Sequence, residues 1–283
     1  MTTPAPDKLG VILRVSLYVL IGWLSLAILA PLMFWIVGTR DTYFLVAALA
    51  TFSAAALANA ITVRIYERGR LADLGLGWTP TSTKEFFTGM IAAALAALVI
   101  LLGAVLAGAA YFQRTAAAEH PTASAAFIAV VLLFGAVGEE MLFHGYAFQL
   151  LIRKLGAFAT ILPAGIIFGF AHINNQNATY FGIGNTMLWG ILLGFAYWRT
   201  GALWLPIGLH FGWNVTLPMF GVNLSGFTLA VTGYTLEWRV GPLLSGGAYG
   251  PEGSVLTTVI VVALFLAVYR LFPERTEDPE RLT

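Results

Sequence analysis

The sequence predicts an all-α, multi-pass membrane protein of about eight transmembrane helices that enclose an intramembrane cavity. Of the 283 residues, 59% are hydrophobic and only 10% are charged, whereas a soluble domain usually has about 25% charged residues. The low charge extends over most of the chain, which distinguishes it from a soluble domain with one anchor. A net charge of +1 argues against a nucleic-acid partner, and the absence of cysteine excludes disulfides and thiol chemistry.

Apolar runs of spanning length recur along the chain, and each span needs about 20 mostly apolar residues. We expect helices near 11–37, 42–66, 86–112, 123–151, 156–173, 181–198, 202–221 and 254–272. The first run is longer than a signal-peptide core, so we interpret it as an uncleaved helix. The whole chain, 1–283, is interpreted as one transmembrane domain. The connection 222–253 could gate the outer face of the bundle or be a passive connector, and we favour the connector; 273–283 is interpreted as a polar, solvated tail.

The distribution of basic residues predicts the orientation in the membrane. With eight alternating helices and a cytoplasmic N-terminus, 12 Lys and Arg residues fall on the cytoplasmic side and only three, Arg40, Arg114 and Arg239, on the other. This is a strong positive-inside bias. We therefore expect both termini to be cytoplasmic.

Two adjacent acidic residues, Glu139 and Glu140, lie in the middle of the fourth apolar run. An ionised side chain at the bilayer centre costs about 2.5–3.5 kcal/mol on insertion scales, so packing alone gives no reason for this pair. The alternative is that the pair hydrogen-bonds neighbouring helices as a purely structural link, but Ser, Thr or Asn would do this at lower cost. We expect a functional site here.

Further polar residues lie in the same set of apolar runs. His144 follows Glu140 by four residues, and Asn214 follows His210 by four, so each pair shares a helix face. His172 ends the fifth run. These residues must converge to satisfy one another, because lipid offers no hydrogen-bond partner. The HINNQN segment that begins at His172 is expected to cap a helix end and line the approach to the site.

This residue set is suited to hydrolysis by an activated water molecule. A glutamate beside a histidine in a dry cavity can act as general base, and His210 with Asn214 offers two donors for a developing oxyanion. The competing interpretation is a zinc site with ligands drawn from Glu140, His144, His172 and His210. The HExxH spacing is absent, and the residues alone leave both interpretations open.

Three motifs together resemble the CPBP family of intramembrane proteases, the type II CAAX prenyl endopeptidase group. The family motif EExxxR corresponds to EEMLFH at 139–144, FxxxH to FGFAH at 168–172, and HxxxN or HxxxD to HFGWN at 210–214. The motifs lie in order within residues 130–220, and the segment TGALWLPIGLHFGWN is similar to bacterial members.

The resemblance implies the roles of the site residues. It implies Glu139 as general base aided by His172, His210 and Asn214 as the oxyanion pocket, and Glu140 as a supporting residue, with His144 and Phe168 beside them. Family members have been called metalloendopeptidases, but this mechanism requires no metal cofactor, and zinc on Glu140, His172 and His210 is the alternative.

The resemblance also implies a cellular location and a class of substrate. It implies a bacterial inner-membrane endopeptidase whose cavity opens toward the cytoplasm and whose partner is a membrane protein or lipidated peptide, with prenylated CAAX proteins as the namesake substrate. His144 departs from the family pattern, which has Arg at this position, so the charge beside Glu140 depends on pH. This departure keeps open a catalytically inactive scaffold or peptide-immunity protein, and buried carboxylates also occur in transporters.

Overall fold

The computed structural model describes residues 7–37, 43–114 and 121–273, and most of these residues are helical. In chain order the helices are α1 Lys8–Val37, α2 Tyr43–Tyr66, α3 Pro80–Leu106, α4 Pro121–His144, α5 Tyr146–Leu155, α6 Ala157–Ala171, α7 Tyr180–Thr200, α8 Trp204–Met219, α9 Pro242–Ser245 and α10 Val255–Leu271. Single 3-10 turns occupy Leu71–Leu74, Gly247–Tyr249 and Pro251–Gly253, and strands β1 Ala110–Arg114 and β2 Tyr234–Trp238 pair antiparallel. Each predicted apolar run contains a helix, so the helical class is confirmed.

Four helical segments of the described chain are long and apolar enough to cross a membrane. They are α1, α2, α3 and the α4–α5 segment Ala125–Leu155, while α6 and α10 are apolar but shorter. These four segments make the chain a membrane protein by length and composition. The count of eight transmembrane helices stays a prediction. Most of the predicted polar tail, residues 274–283, lies outside the described residues.

Two predicted helix boundaries were wrong. The third run was expected to stay helical to residue 112, but α3 ends at Leu106 and the chain enters β1, which pairs with β2. The fourth run was expected to be one helix, but it breaks at Gly145 between α4 and α5. A Cβ at Gly145 would lie 2.2 Å from both Asn59 Oδ1 and Met141 O, so only glycine fits where α2 approaches this break.

The helices α3 and α8 touch at backbone distance, and this contact fixes the helix that carries His210. A Cβ added at Gly208 would lie 2.1 Å from Phe86 O, and one at Gly212 would lie 2.2 Å from Met90 O. Small residues allow membrane helices to pack at such short range. The position of His210, between these two glycines, is therefore set by close packing on α3.

The described cations are concentrated at one end of the bundle, which we call the basic end. It contains the starts of α1 and α3, the loop 67–79 and the ends of α2, α5, α7 and α10. Contacts such as Arg14 Nη1 to Glu67 Oε1 at 2.7 Å and Gln149 Nε2 to Leu74 O at 3.0 Å join these segments. Ten described cations lie there: Lys8, Arg14, Arg64, Arg68, Arg70, Lys84, Arg153, Lys154, Arg199 and Arg270. The opposite end, which we call the loop end, contains 106–114, 172–179 and 220–254, with two described cations, Arg114 and Arg239.

The connection 222–253 is not a passive connector as predicted, because it folds back into the bundle. Its residues Leu224, Ser225, Phe227 and Glu252 line the central cavity. Asn175 Nδ2 donates to Ser225 O at 3.2 Å, and Asn177 Nδ2 donates to Gly226 O at 3.0 Å. The Asn residues after His172 therefore fasten this connection across the loop end.

Gly208→Ala is expected to lower the free energy of unfolding by about 1–3 kcal/mol, because the added methyl group must separate α3 from α8. Thermal unfolding of the purified protein in detergent measures this change. Gly103→Ala in α3 is the matched control, since its Cβ would meet no described atom within 4 Å apart from the nearby backbone of α3 itself and its two chain neighbours. Equal melting temperatures for both variants would contradict the close packing of α3 on α8.

Candidate active site

The Glu140 carboxylate lies at the centre of the site and is fully buried. Its Oε2 lies 2.7 Å from His144 Nδ1, and its Oε1 lies 2.8 Å from His210 Nδ1. An ionised carboxylate only accepts hydrogen bonds, so it makes the Nδ1 atom of each ring a donor. Glu140 therefore joins its own helix, α4, to α8 and fixes how the His210 ring is turned.

His144 fills the position where the family motif has Arg, and it too is fully buried. Its ring packs edge-on against Phe148, with centroids 4.8 Å apart. Its Nε2 has no hydrogen-bond partner within the described part of the chain. The hydrogen bond expected between His144 and Glu140 is present, and it keeps one carboxylate oxygen of Glu140 occupied.

The Glu139 carboxylate, about 30% exposed, faces two imidazoles rather than one. Its Oε2 lies 3.8 Å from His172 Nε2 and 3.8 Å from His210 Nε2. These distances are too long for direct hydrogen bonds. Oε2 has no hydrogen-bond partner among the described residues, so a small polar molecule between these three atoms would satisfy it.

The orientation of His172 follows from the end of α6. Its Nδ1 donates to Phe168 O at 2.8 Å, and because a carbonyl only accepts, the neutral ring presents the lone pair of Nε2 to Glu139. The Phe168 ring packs against both imidazoles, with centroids 4.9 Å from His172 and 6.0 Å from His210. Phe168 therefore supports the site through its carbonyl and its ring.

A cavity of about 330 Å³ lies in front of these groups. Five of the seven predicted site residues line it, namely Glu139, Phe168, His172, His210 and Asn214. The other two, Glu140 and His144, lie behind the wall. The structure thus brings together in space all three motifs that lie far apart in the sequence.

Sequence reasoning missed the second carboxylate in the cavity wall, that of Glu252. It accepts from Trp213 Nε1 at 3.3 Å and from Ser225 Oγ at 3.1 Å, and also from the Ser225 backbone N–H. Burial raises the pKa of the Glu252 carboxyl, against the opposing effect of the Ser225 hydrogen bonds. The only sequence signal was an acidic residue in PEG directly before the last apolar run.

The alternative zinc ligands do not form a metal site in this arrangement. Both oxygens of Glu140 are occupied by Nδ1 donors of His144 and His210, while the free Nε2 atom of His172 faces Glu139 instead. No group of three or more potential ligands is placed to hold a metal ion within residues 7–37, 43–114 and 121–273. As placed here, Glu140, His172 and His210 are not grouped around a common point for a zinc ion, and the metal-free mechanism stays a prediction.

Comparison with known proteins agrees with the motifs. Residues 121–216, about a third of the chain, match the family described as type II CAAX prenyl endopeptidase Rce1-like. Over this segment the chain is similar to the Rce1-like family. The matched residues contain the three motifs, and the family indicates a membrane-embedded protease of the CAAX type. No curated protein and no solved structure matches the chain.

Asn59 of α2 holds the helix break next to the two glutamates. Its Oδ1 accepts from Tyr146 N at 2.8 Å, and its Nδ2 donates to Met141 O at 2.9 Å and Ala55 O at 2.8 Å. The bonds to Tyr146 N and Met141 O satisfy backbone groups at the break between α4 and α5. Asn59 thus positions the end of α4 that carries Glu139 and Glu140.

Asn59→Leu is expected to destabilise the protein by about 1–3 kcal/mol, because it leaves the buried Tyr146 N–H unpaired. Thr62→Val is the control, since the Thr62 hydroxyl bonds only within its own helix, to Ala58 O and Asn59 O. Thermal unfolding in detergent compares the two variants. A Thr62→Val effect as large as that of Asn59→Leu would contradict the role given to Asn59.

Proposed function

We propose that the protein is an intramembrane endopeptidase of a bacterial inner membrane that hydrolyses peptide bonds of membrane-associated polypeptides. The observation that carries this proposal is the 3.8 Å separation of Glu139 Oε2 and His172 Nε2. Both atoms are acceptors when Glu139 is ionised and His172 neutral. Water is the small molecule that donates one hydrogen to each, so the pair is suited to bind and polarise one water molecule.

The hydrolysis proceeds in two steps on the residues of the cavity. Glu139 removes a proton from the water as its oxygen attacks the peptide carbonyl carbon, which forms a C–O bond and places the negative charge on the carbonyl oxygen. When the intermediate collapses, the C–N bond breaks and the protonated Glu139 gives its proton to the leaving nitrogen. The products are a carboxyl group and an amine, and Glu139 returns to its ionised form.

The oxyanion is stabilised by His210 and Asn214, which share one face of α8. With Nδ1 donating to the buried Glu140 carboxylate, His210 can carry a proton on Nε2 as well, and this N–H points to the side of the cavity that contains Glu139. Glu140 stabilises that imidazolium by its charge. The Asn214 amide supplies the second donor from the cavity wall. Glu140 and His144 are thus positioning residues.

Glu139→Gln is expected to abolish cleavage while the protein still inserts, because the amide cannot take the proton from water. General-base removal costs roughly 10²–10⁴-fold in rate. N-terminal peptides of the membrane proteome are compared between cells with wild type, with Glu139→Gln and with the control Glu237→Gln in β2. Termini present with wild type and Glu237→Gln but missing with Glu139→Gln support the proposal. Identical termini in all three would favour the scaffold or immunity protein instead.

Asn214→Ala is expected to lower kcat roughly 10²–10³-fold with little change in KM, since the amide acts on charge that develops in the transition state. Kinetics on a substrate peptide from the proteome comparison measure this split. Asn174→Ala, at an exposed position beyond His172, is the control. A rise in KM at unchanged kcat would show that Asn214 binds the substrate and does not stabilise the oxyanion.

A further inference from the structure

The cavity is lined by the start of α2, residues 131–143 of α4, the end of α6 and the connection 222–253, together with parts of α7 and α8. Its outer rim is aromatic, with Tyr43 and Phe44 at the start of α2 packed on Phe227 of the connection at centroid distances of 5.9 and 5.1 Å. His172 and Asn175, at the end of α6 and just beyond it, also line it. None of the lining residues belongs to the loop 67–79 or to α5. The described cavity therefore extends from the site toward the loop end.

The basic-end side of the site is filled by buried side chains. Glu140 and His144 have no exposed surface, and beneath them Tyr146, Phe148 and Gln149 are at most 3% exposed. Gln149 bonds to His144 O at 3.1 Å as well as to the loop through Leu74 O. A polypeptide would have to displace this packed layer to reach Glu139 from the basic end.

The charge of the two ends decides which side of the membrane each one faces. Ten of the twelve described cations lie at the basic end. In membrane proteins, the loops that carry the greater number of Lys and Arg face the cytoplasm. The basic end is therefore the cytoplasmic one, and the cavity extends away from it. This differs from the cytoplasmic opening that the family resemblance implies.

The charge of the cavity wall limits what can bind there. Among the described lining residues the carboxylates are Glu139 and Glu252, and the set contains no Lys or Arg. A free C-terminal carboxylate would enter beside these two carboxyl groups, and the imidazole of His210, when protonated, is already paired with Glu140. Unpaired like charges in a desolvated site are strongly disfavoured. An uncharged or basic internal segment avoids this repulsion.

We infer that the cavity receives its substrate from the extracytoplasmic side, and that this substrate is an uncharged or basic internal segment of an exported, membrane-anchored polypeptide. The inference rests on the proposed protease function for cleavage, while the direction of opening rests on the positions of the cavity and the cations. Membrane anchorage brings the segment to the depth of Glu139, beside α2 and α6, both of which line the cavity.

The orientation is tested first and without reference to activity. Because the chain has no cysteine, single-cysteine variants report one position each. Tyr234→Cys places a thiol at the loop end and Ala72→Cys places one at the basic end, both at exposed positions. In right-side-out membrane vesicles, a membrane-impermeant maleimide should label Tyr234→Cys at once and Ala72→Cys only after permeabilisation. The reverse pattern overturns the inference.

The substrate is tested with single-span reporter proteins that carry the same test segment on either side of the membrane. Cells with the wild-type protein should cleave a reporter whose neutral or Lys-containing segment lies outside at least tenfold more than a version whose segment contains Glu. Cells with Glu139→Gln should cleave neither reporter.

Cleavage of cytoplasmic segments, or a preference for a free C-terminal carboxylate, overturns the inference and leaves the protease function standing. No cleavage of any reporter, together with no Glu139-dependent termini in the proteome, overturns the protease function, while the labelling still decides the orientation.

The charge of the cavity wall is tested by the ratio of cleavage of two reporters, because a loss of folded protein lowers both rates equally and leaves their ratio unchanged. Glu252→Gln removes one of the two lining carboxylates, so cleavage of the Glu-containing reporter relative to the neutral one should rise severalfold. Glu237→Gln lies outside the cavity lining and should leave this ratio unchanged. An unchanged ratio in Glu252→Gln overturns the part of the inference that concerns substrate charge.

Discussion

A buried carboxylate shared by two imidazoles organises this protein. Glu140 accepts from His144 on its own helix and from His210 on α8, at a depth where neither lipid nor bulk water supplies a partner. An unpaired charge at such a place is costly, so the helices must bring the two donors to it. The rest of the site follows, because the turn of the His210 ring decides which of its nitrogens faces Glu139.

The surrounding packing fixes the relative positions of the helices that contain Glu140, His144 and His210. Gly208 and Gly212 press α8 against α3 on both sides of His210 along the chain. Asn59 holds α4 to α2 where the helix breaks, and the Tyr18 hydroxyl donates to the same region, 2.9 Å from Met141 O. The two glutamates and the histidine therefore meet as fixed groups and not as mobile side chains. This preorganisation is what electrostatic catalysis requires.

Much of the fold and the site could be predicted because the bilayer restricts which residues can occur in a membrane-spanning helix. Apolar length marks helices, and Glu139 or His210 within such a run is conspicuous because membrane interiors exclude charge. The break at Gly145 was not predictable, since it depends on Asn59, 86 positions earlier in the chain. Glu252 was missed because an acidic residue in a connection between helices is common. The local sequence does not show that this connection folds back to the site.

The three motifs and the orientation of the cavity in the membrane depend on different parts of the sequence. EEMLFH, FGFAH and HFGWN contain the groups that do chemistry, and their spacing depends on the geometry of the helix bundle alone. The side of the membrane that the cavity faces depends instead on Lys and Arg in the flanking loops, which the three motifs do not include. A bundle with the same motifs and the opposite charge bias would present its cavity to the other side of the membrane. The motifs therefore bear on the chemistry that the site allows, and the loop charges bear on the side of the membrane that the site faces.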